Sequence, residues 1–203
     1  MSRAPVTVRA AEPKDAGDLI DVWTEAAPAH PADDVERRAT EGLLIIPQLS
    51  EAAGAIARIA ADPAERLLVA QSDERIVGAV HLRRGPVSPI QQGEAVHLSH
   101  LRVLPAHRRR GVASALLSAA TAWAEEKDST HMFATSPAST REAHRFLARL
   151  GFGQIAIVRA VSVIALRARF AGLAAGSRDT GRLIARRRTL RRRHGQPVAG
   201  PLG

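Results

Sequence analysis

Residues 97–117 read HLSHLRVLPAHRRRGVASALL and are the most informative stretch of the chain. A strand-like apolar segment ends at Pro105, and an arginine-rich turn leads through Gly111 into an apolar helix. A helix start exposes unpaired backbone N–H groups and the positive end of its dipole, so such a turn is a ready site for an anion. Gly111 lets the backbone approach a phosphate without a Cβ in the way, and the arginines at 108–110 add positive charge. The stretch therefore predicts a phosphate-binding turn between a strand and a helix.

The composition of this turn separates it from two other phosphate-binding motifs. It is not a P-loop, because the Gly-Lys-Ser/Thr ending is absent. It is not a dinucleotide fingerprint either, because it lies in mid-chain and lacks the three glycines. The simpler alternative is a solvated basic turn that caps an ordinary helix.

The pattern Leu101-x-Val103-x-Pro105-x-x-Arg108-x-x-Gly111-x-Ala113 resembles the acyl-CoA signature of the GNAT acyltransferases. The resemblance implies an α/β protein of the GNAT fold, with a mixed, mostly antiparallel central sheet flanked by helices and a basic C-terminal extension. It also implies acetyl-CoA, or another acyl-CoA, as the cofactor, with main-chain contacts from Leu101 and Val103 to the pantetheine arm. The residues expected around the phosphates are Arg108, Arg109, Arg110, Gly111, Val112, Ala113 and Ser114.

A second signature lies in residues 141–152, REAHRFLARLGF, which resembles the GNAT helix that packs beside the pantetheine. By this resemblance, Ser139 and Thr140 are expected to contact the cofactor. Many family members carry a tyrosine that protonates the leaving thiolate, but this chain has Leu147 at that position and no tyrosine at all. Three alternatives stay open: the thiolate leaves unassisted or with water, a Ser, Thr or His substitutes, or the site turns over slowly.

Acyl transfer to an amine requires a neutral amine, so a general base is expected on the strand before the turn. His97 occupies the position where related proteins often have a glutamate, and histidine titrates near neutral pH. His100 is the second candidate, although in a regular strand it would face the opposite side unless a bulge intervenes. His81 and Glu94 are weaker candidates, and a partly buried histidine with satisfied hydrogen bonds is the simpler alternative for each ring. The Val103 N–H is expected to polarise the thioester carbonyl.

The composition locates the charge of the protein in its C-terminal part. Residues 167–193 hold ten arginines and one acidic residue, whereas the rest of the 203-residue chain has 19 basic and 19 acidic residues. This arginine-rich segment predicts a phosphate-led contact with nucleic acid, a disordered solubilising extension, or packing on the domain or a second copy. The absence of cysteine excludes disulfides and zinc-thiolate sites and fits a reducing compartment, and no metal site is expected.

The element order predicts a GNAT acyltransferase domain over residues 1–166 and an extension over 167–203. Residues 153–166 are β-branched and apolar and predict one or two strands, while residues 28–49 and 85–93 predict loops that select the acceptor. The start of the chain lacks the apolar stretch of a secretion signal, so we expect a cytoplasmic protein. The expected function is N-acetyl transfer from acetyl-CoA to a small-molecule or peptide amine by direct attack in a ternary complex. The alternative is a catalytically weak acyl-CoA-binding scaffold that associates with RNA or DNA, and a homodimer stays open.

Overall fold

The computed structural model describes residues 5–26, 45–90, 92–137 and 140–173. The chain divides into two units, of which the first contains the described residues up to Ala156 and the second those from Ile157 onward. The expected division at residue 166 stays a prediction, and residues 174–203, with most of the arginine-rich segment, lie outside the described residues.

The first unit contains five strands, four α-helices and two 3-10 turns among its described residues. They are β1 (Thr7–Ala10), a 3-10 turn (Pro13–Asp15), α1 (Ala16–Glu25), α2 (Leu49–Ala61), β2 (Glu65–Ser72), β3 (Arg75–Pro86), β4 (Glu94–Val103), a second 3-10 turn (Pro105–His107), α3 (Val112–Glu126), β5 (His131–Ala134) and α4 (Arg141–Arg149).

The five described strands form one sheet in the order β1-β2-β3-β4-β5. The first three pairings are antiparallel, and β4 pairs with β5 in parallel. This confirms the predicted mixed, mostly antiparallel sheet flanked by helices.

Helices cover both faces of the sheet, so the central strands are apolar on both sides. On one face, Arg66 of β2 places its guanidinium 5.5 Å from the ring centroid of Trp123 in α3. Successive strand residues face opposite sides, so Glu65 lies on the other face, where Arg58 of α2 is 3.6 Å from it. Fully buried side chains fill the space between sheet and helices, among them Val69, Val77, Leu82, Val96 and Leu116.

An ion pair fixes the start of α1 against the sheet. Arg9 of β1 donates from Nη1 and Nη2 to the two carboxylate oxygens of Asp15, at 2.6 and 2.8 Å. Asp15 is 6% exposed, and its carboxylate also accepts the Glu12 N–H at 2.8 Å. The hydrogen bond from Arg9 is the main reason that the pKa of Asp15 is lowered. This bidentate contact fixes the start of α1, the helix from which Trp23 faces β4.

The predicted strand over residues 153–166 is wrong. No strand forms there among the described residues, and a helix, α5, covers residues 163–173 of the second unit. Ser162 begins this helix as its N-cap, since its Oγ accepts the Ala165 N–H at 3.2 Å. A strand requires a neighbouring strand that pairs with its backbone groups, and an alternating β-branched pattern does not show that such a neighbour is present. None of the described helices is both long and apolar enough to cross a membrane.

The predicted loop over residues 85–93 is also wrong at its start. Gly85 and Pro86 continue β3, paired with Ala95 and Glu94 of β4. The glycine and proline in this stretch suggested a loop, but the cross-strand pairing extends the strand through both.

The close approach of β3 to α3 depends on Gly78. A Cβ at this position would lie 2.9 Å from the Arg102 carbonyl oxygen and 3.0 Å from Val112 Cγ1. We therefore expect Gly78→Ala to lower the free energy of unfolding by about 1–3 kcal/mol, measured by chemical denaturation.

The matched control is Gly54→Ala in α2, where a Cβ would meet nothing within 4 Å. This variant should raise the free energy of unfolding by up to about 1 kcal/mol, because alanine favours a helix over glycine. A Gly78→Ala protein as stable as the parent would contradict the packing of β3 on α3.

Candidate active site

A gap opens beside β4 where its parallel pairing ends. The last paired residues are Leu98 and Ala134, and the Leu98 carbonyl then accepts the Thr135 N–H at 2.9 Å. β4 continues five residues further, to Val103, still paired with β3 but no longer with β5. Backbone groups on this side of β4 are therefore open to a ligand.

Val103 presents its backbone to this gap. Leu104 N donates to Val77 O at 2.9 Å, and Val103 stands opposite Gly78 in the same antiparallel register. Hydrogen-bonded and non-bonded pairs alternate in such a ladder, so the Val103 N–H and C=O point away from β3. The Arg108 Nε–H donates to that carbonyl at 3.3 Å, and the Val103 N–H is left facing the gap. Leu101, the other predicted main-chain contact, lies half-buried in the same segment.

The predicted phosphate turn has the geometry of an open anion site. Arg109 has a φ of +58° and Gly111 a φ of +85°, and α3 begins at Val112. The first helical bond runs from Ala115 N to Gly111 O at 2.9 Å, so the N–H groups of Val112, Ala113 and Ser114 precede it. No side chain of the described residues caps this end. Arg110 and Ser114 are exposed beside it.

The second signature lies next to this turn. Arg109 Nε is 3.5 Å from Glu142 Oε1 on α4, which begins after Thr140. Within α4, the His144 Nε2 lies 3.1 Å from the Pro137 carbonyl, which holds the chain that leaves β5. Leu147 is buried, so the position of the missing tyrosine is apolar. Ser139 lies outside the described residues.

A β-bulge in β4 changes the face that His100 occupies. Ala79 pairs with Arg102 and His81 pairs with Ser99, so two residues of β4 stand opposite Val80. His100 takes up the irregularity with a φ of +54°. Its ring stacks at 6.2 Å on Trp23 of α1, and its Nδ1 lies 3.0 Å from Ser99 Oγ. The sequence predicts that His100 shares a face with His97 only if the strand contains such a bulge.

Ser99 connects His100 to two further side chains. His81 Nδ1 lies 3.2 Å from Ser99 Oγ, and His81 Nε2 lies 3.2 Å from Glu65 Oε2. Sequence reasoning named His81 but missed Ser99, Glu65 and Trp23. Ser99 is two residues after His97, so strand alternation could have placed it on that face, whereas the position of Glu65 depends on strand order.

The environment of His100 favours the neutral imidazole. Burial against its neighbours is the largest cause that lowers the pKa of His100, followed by the charges of Arg102 and His81. Arg102 contacts Ala26 O at 3.5 Å through Nη1, while its buried Nε has no partner in the described part of the chain. Burial also lowers the pKa of Arg102.

His97 and Glu94 do not join this chain of side chains. The exposed His97 ring lies 5.0 Å from Phe133 of β5, and Glu94 pairs with Arg84 at the start of β4. In the described ranges, no group of three His, Asp or Glu side chains is arranged to hold a metal ion.

Comparison with known proteins adds a family and a fold. The sequence model of the acetyltransferase (GNAT) family matches residues 21–152. No curated protein sequence matches the chain significantly.

Solved structures with the same fold cover 78% of this chain at low sequence identity. A transcriptional regulator from Bacillus halodurans C-125 matches over 99% of its length with a TM-score of 0.63 and 22% identity. An aminoglycoside N-acetyltransferase in complex with CoA matches over 95% of its length with a TM-score of 0.60 and 17% identity. The ribosomal-protein-alanine N-acetyltransferase from Brucella melitensis biovar Abortus 2308 matches over 98% of its length with a TM-score of 0.54 and 21% identity.

The electrostatics of the bulge predict a pH dependence of stability. Because the pKa of His100 is lower in the folded state, the unfolded chain takes up the proton first as the pH falls. The contribution of His100 to stability is therefore fully present above pH ~6.5, the ordinary histidine value, and is lost as the pH falls through the folded pKa. NMR titration of the imidazole signals, assigned with His100→Gln, should give a pKa below that value.

Arg102→Gln should raise the pKa of His100, because it removes one of the two charges that lower it. Arg75→Gln is the matched control, since Arg75 pairs with Glu25 at 3.8 Å and is not among the groups acting on His100. An unchanged His100 titration in Arg102→Gln would contradict this account.

Proposed function

Because this chain belongs to the acetyltransferase (GNAT) family, we propose that it transfers an acetyl group from acetyl-CoA to an amine by direct attack in a ternary complex. The observation that carries the proposal is the open backbone of β4 beside the uncapped start of α3. A pantetheine arm that carries a thioester requires open strand backbone, and the phosphate group at its other end requires an open helix start nearby. Members of this family are acetyltransferases, so the finer proposal concerns the donor, the acceptor and the catalytic groups.

The residues around the gap fit acetyl-CoA. The N–H groups of residues 112–114 and the α3 dipole would hold the pyrophosphate, with charge from Arg108, Arg109 and Arg110. A Cβ at Gly111, which precedes these N–H groups, would meet nothing of the protein within 4 Å. Val103 would hold the pantetheine arm through its backbone, together with Leu101, and Thr140 at the start of α4 would complete the site. When bound, acetyl-CoA supplies the activated acetyl group.

We assign the general base to His100 rather than His97. His100 has a lowered pKa and is neutral at pH 7, as a base must be before it accepts a proton. Its ring is oriented by Trp23 and Ser99, whereas the ring of His97 lies against Phe133. His100 would accept the proton that the acceptor amine loses, and acetyl-CoA would supply the acetyl group and carry away the thiolate. The Val103 N–H would donate to the thioester carbonyl oxygen.

The substrates for which related proteins are named support the proposed acceptor class. The structural relatives named above include N-acetyltransferases that act on an aminoglycoside and on a ribosomal protein's alanine. Both acceptors are amines, which supports an amine acceptor here. Among the loops expected to select the acceptor, residues 27–44 lie outside the described residues. The alternative of a weak catalyst bound to nucleic acid rests on the arginine-rich segment, and no described residue favours it.

A test of the reaction follows free thiol after mixing the protein with acetyl-CoA and a panel of amines. We expect amine-dependent thiol release, with a kcat about 10²–10⁴-fold lower in His100→Gln because the general base is lost. His97→Gln should lower kcat far less. A larger loss in His97→Gln than in His100→Gln would transfer the role of base to His97, and no thiol release with any amine would contradict the proposed function.

A test of the cofactor site uses two glycines with similar backbones. Gly111→Ala places a methyl group at the open start of α3 and should raise the dissociation constant of CoA at least about tenfold, measured by calorimetry. Gly151→Ala is the matched control, because Gly151 has a φ of +90° and equally open space but ends α4. Both variants should lose about 1–2 kcal/mol of stability from the left-handed backbone. Equal CoA affinity in the two variants would contradict the placement of the pyrophosphate.

A further inference from the structure

Four polar side chains form a continuous line across three strands of the sheet. Glu65 of β2 contacts His81 of β3 at 3.2 Å, His81 contacts Ser99 of β4 at 3.2 Å, and Ser99 contacts His100 at 3.0 Å. The line begins at a carboxylate that is 11% exposed, passes through a histidine that is 22% exposed, and ends at the exposed imidazole of His100.

The chemistry of the carboxylate gives this line a direction. An ionised carboxylate only accepts hydrogen bonds, so His81 donates its Nε2–H to Glu65 and its Nδ1 carries a lone pair. The Ser99 hydroxyl then donates to that Nδ1, and its oxygen accepts the Nδ1–H of His100. Every donor has an acceptor in this arrangement. It leaves the Nε2 of His100 unprotonated, which is the state that a general base requires.

Charged groups lie near both ends of the line. Arg58 Nη1 lies 3.6 Å from Glu65 Oε2, and Arg83 Nε lies 3.9 Å from Glu65 Oε1. At the other end, Trp23 and Arg102 face His100 from α1 and β4. His81 therefore lies beside a carboxylate, whereas His100 lies near the Arg102 guanidinium, whose charge helps to lower the pKa of His100.

We propose that Ser99, His81 and Glu65 are positioning residues that fix the tautomer of His100 and relay the proton it removes from the acceptor amine. This inference rests on the proposed function, in which His100 is the base. The amine proton binds His100 Nε2, the His100 Nδ1 proton passes to Ser99 Oγ, and the Ser99 hydroxyl proton passes to His81 Nδ1. The balance is one proton removed from the amine and one gained by His81, which becomes an imidazolium paired with Glu65.

The first measurement is the tautomer of His100, read from long-range ¹H–¹⁵N NMR correlations in the full chain without any substrate. The parent protein should show the Nδ1–H form. Ser99→Ala should show the Nε2–H form to a substantial extent, because Nδ1 loses its acceptor and water at the exposed edge satisfies either nitrogen. Ser99→Thr keeps the hydroxyl and should restore the parent tautomer.

The second measurement is the kinetics of acetyl transfer. Ser99→Ala and Glu65→Gln should each lower kcat about 10–100-fold, which is the usual loss of activity when a residue that orients an active group is replaced. The KM for acetyl-CoA should change little. His81→Gln should lower kcat by a similar factor, because it removes the ring nitrogen that accepts the Ser99 hydroxyl proton. Ser118→Ala, on the exposed side of α3, is the matched serine control and should change neither kcat nor this KM.

The outcomes separate this inference from the proposed function. If acetyl transfer occurs but Ser99→Ala and Glu65→Gln keep the parent kcat and tautomer, the relay is wrong and the function stands. If no amine supports thiol release, the function fails, and the NMR measurement alone still confirms or overturns the orientation of His100. Stoichiometric thiol release without an amine, with the acetyl group found on Ser99 by mass spectrometry, would overturn the relay, because Ser99 would then be a nucleophile.

Discussion

The site depends on the unequal pairing of β4 with its two neighbours. On one side β4 pairs with β3 from Glu94 to Val103, and on the other it pairs with β5 only as far as Leu98. A buried backbone group without a partner is costly, so an unpaired strand edge within a fold is stable only where water or a ligand reaches it. The uncapped start of α3 follows the end of β4 by way of the arginine-rich turn, so in the proposed function one acyl-CoA would reach both the open strand edge and the open helix end.

The bulge at His100 separates the two uses of β4. In a regular strand, Ser99 and His100 would face opposite sides of the sheet, and the imidazole would be directed toward the face covered by α3. The positive φ of His100 turns its ring to the side of Trp23 and Ser99 instead. Beyond the bulge, Val103 keeps its N–H directed into the gap. One extra residue therefore lets the same strand present the side chains of Ser99 and His100 to one face and the Val103 backbone to the gap beside β5.

The sequence predicted what local patterns determine. The step from an arginine-rich turn through Gly111 into an apolar helix predicted the start of α3, which lies at Val112. Features that depend on strand order could not be found in this way. Glu65 and Ser99 are 34 residues apart, and only the register of β2, β3 and β4 brings both to His81. The error over residues 153–166 has a similar origin, since a β-branched pattern does not show whether a neighbouring strand is present to pair with.

The apolar residue at position 147 bears on which step of the proposed reaction requires a catalytic group. Its buried, apolar side chain cannot protonate a leaving thiolate, and its backbone oxygen is already an acceptor for Phe152 N at 3.1 Å. A thiol has an ordinary pKa of about 8.5, whereas a lysine-like amine has one of about 10.4. At neutral pH the thiolate is therefore a tolerable leaving group without an acid, while the amine is mostly protonated and reacts only after losing a proton. The proposed reaction therefore requires proton transfer mainly at the acceptor amine, and the proposed base His100 is aligned with Ser99, His81 and Glu65.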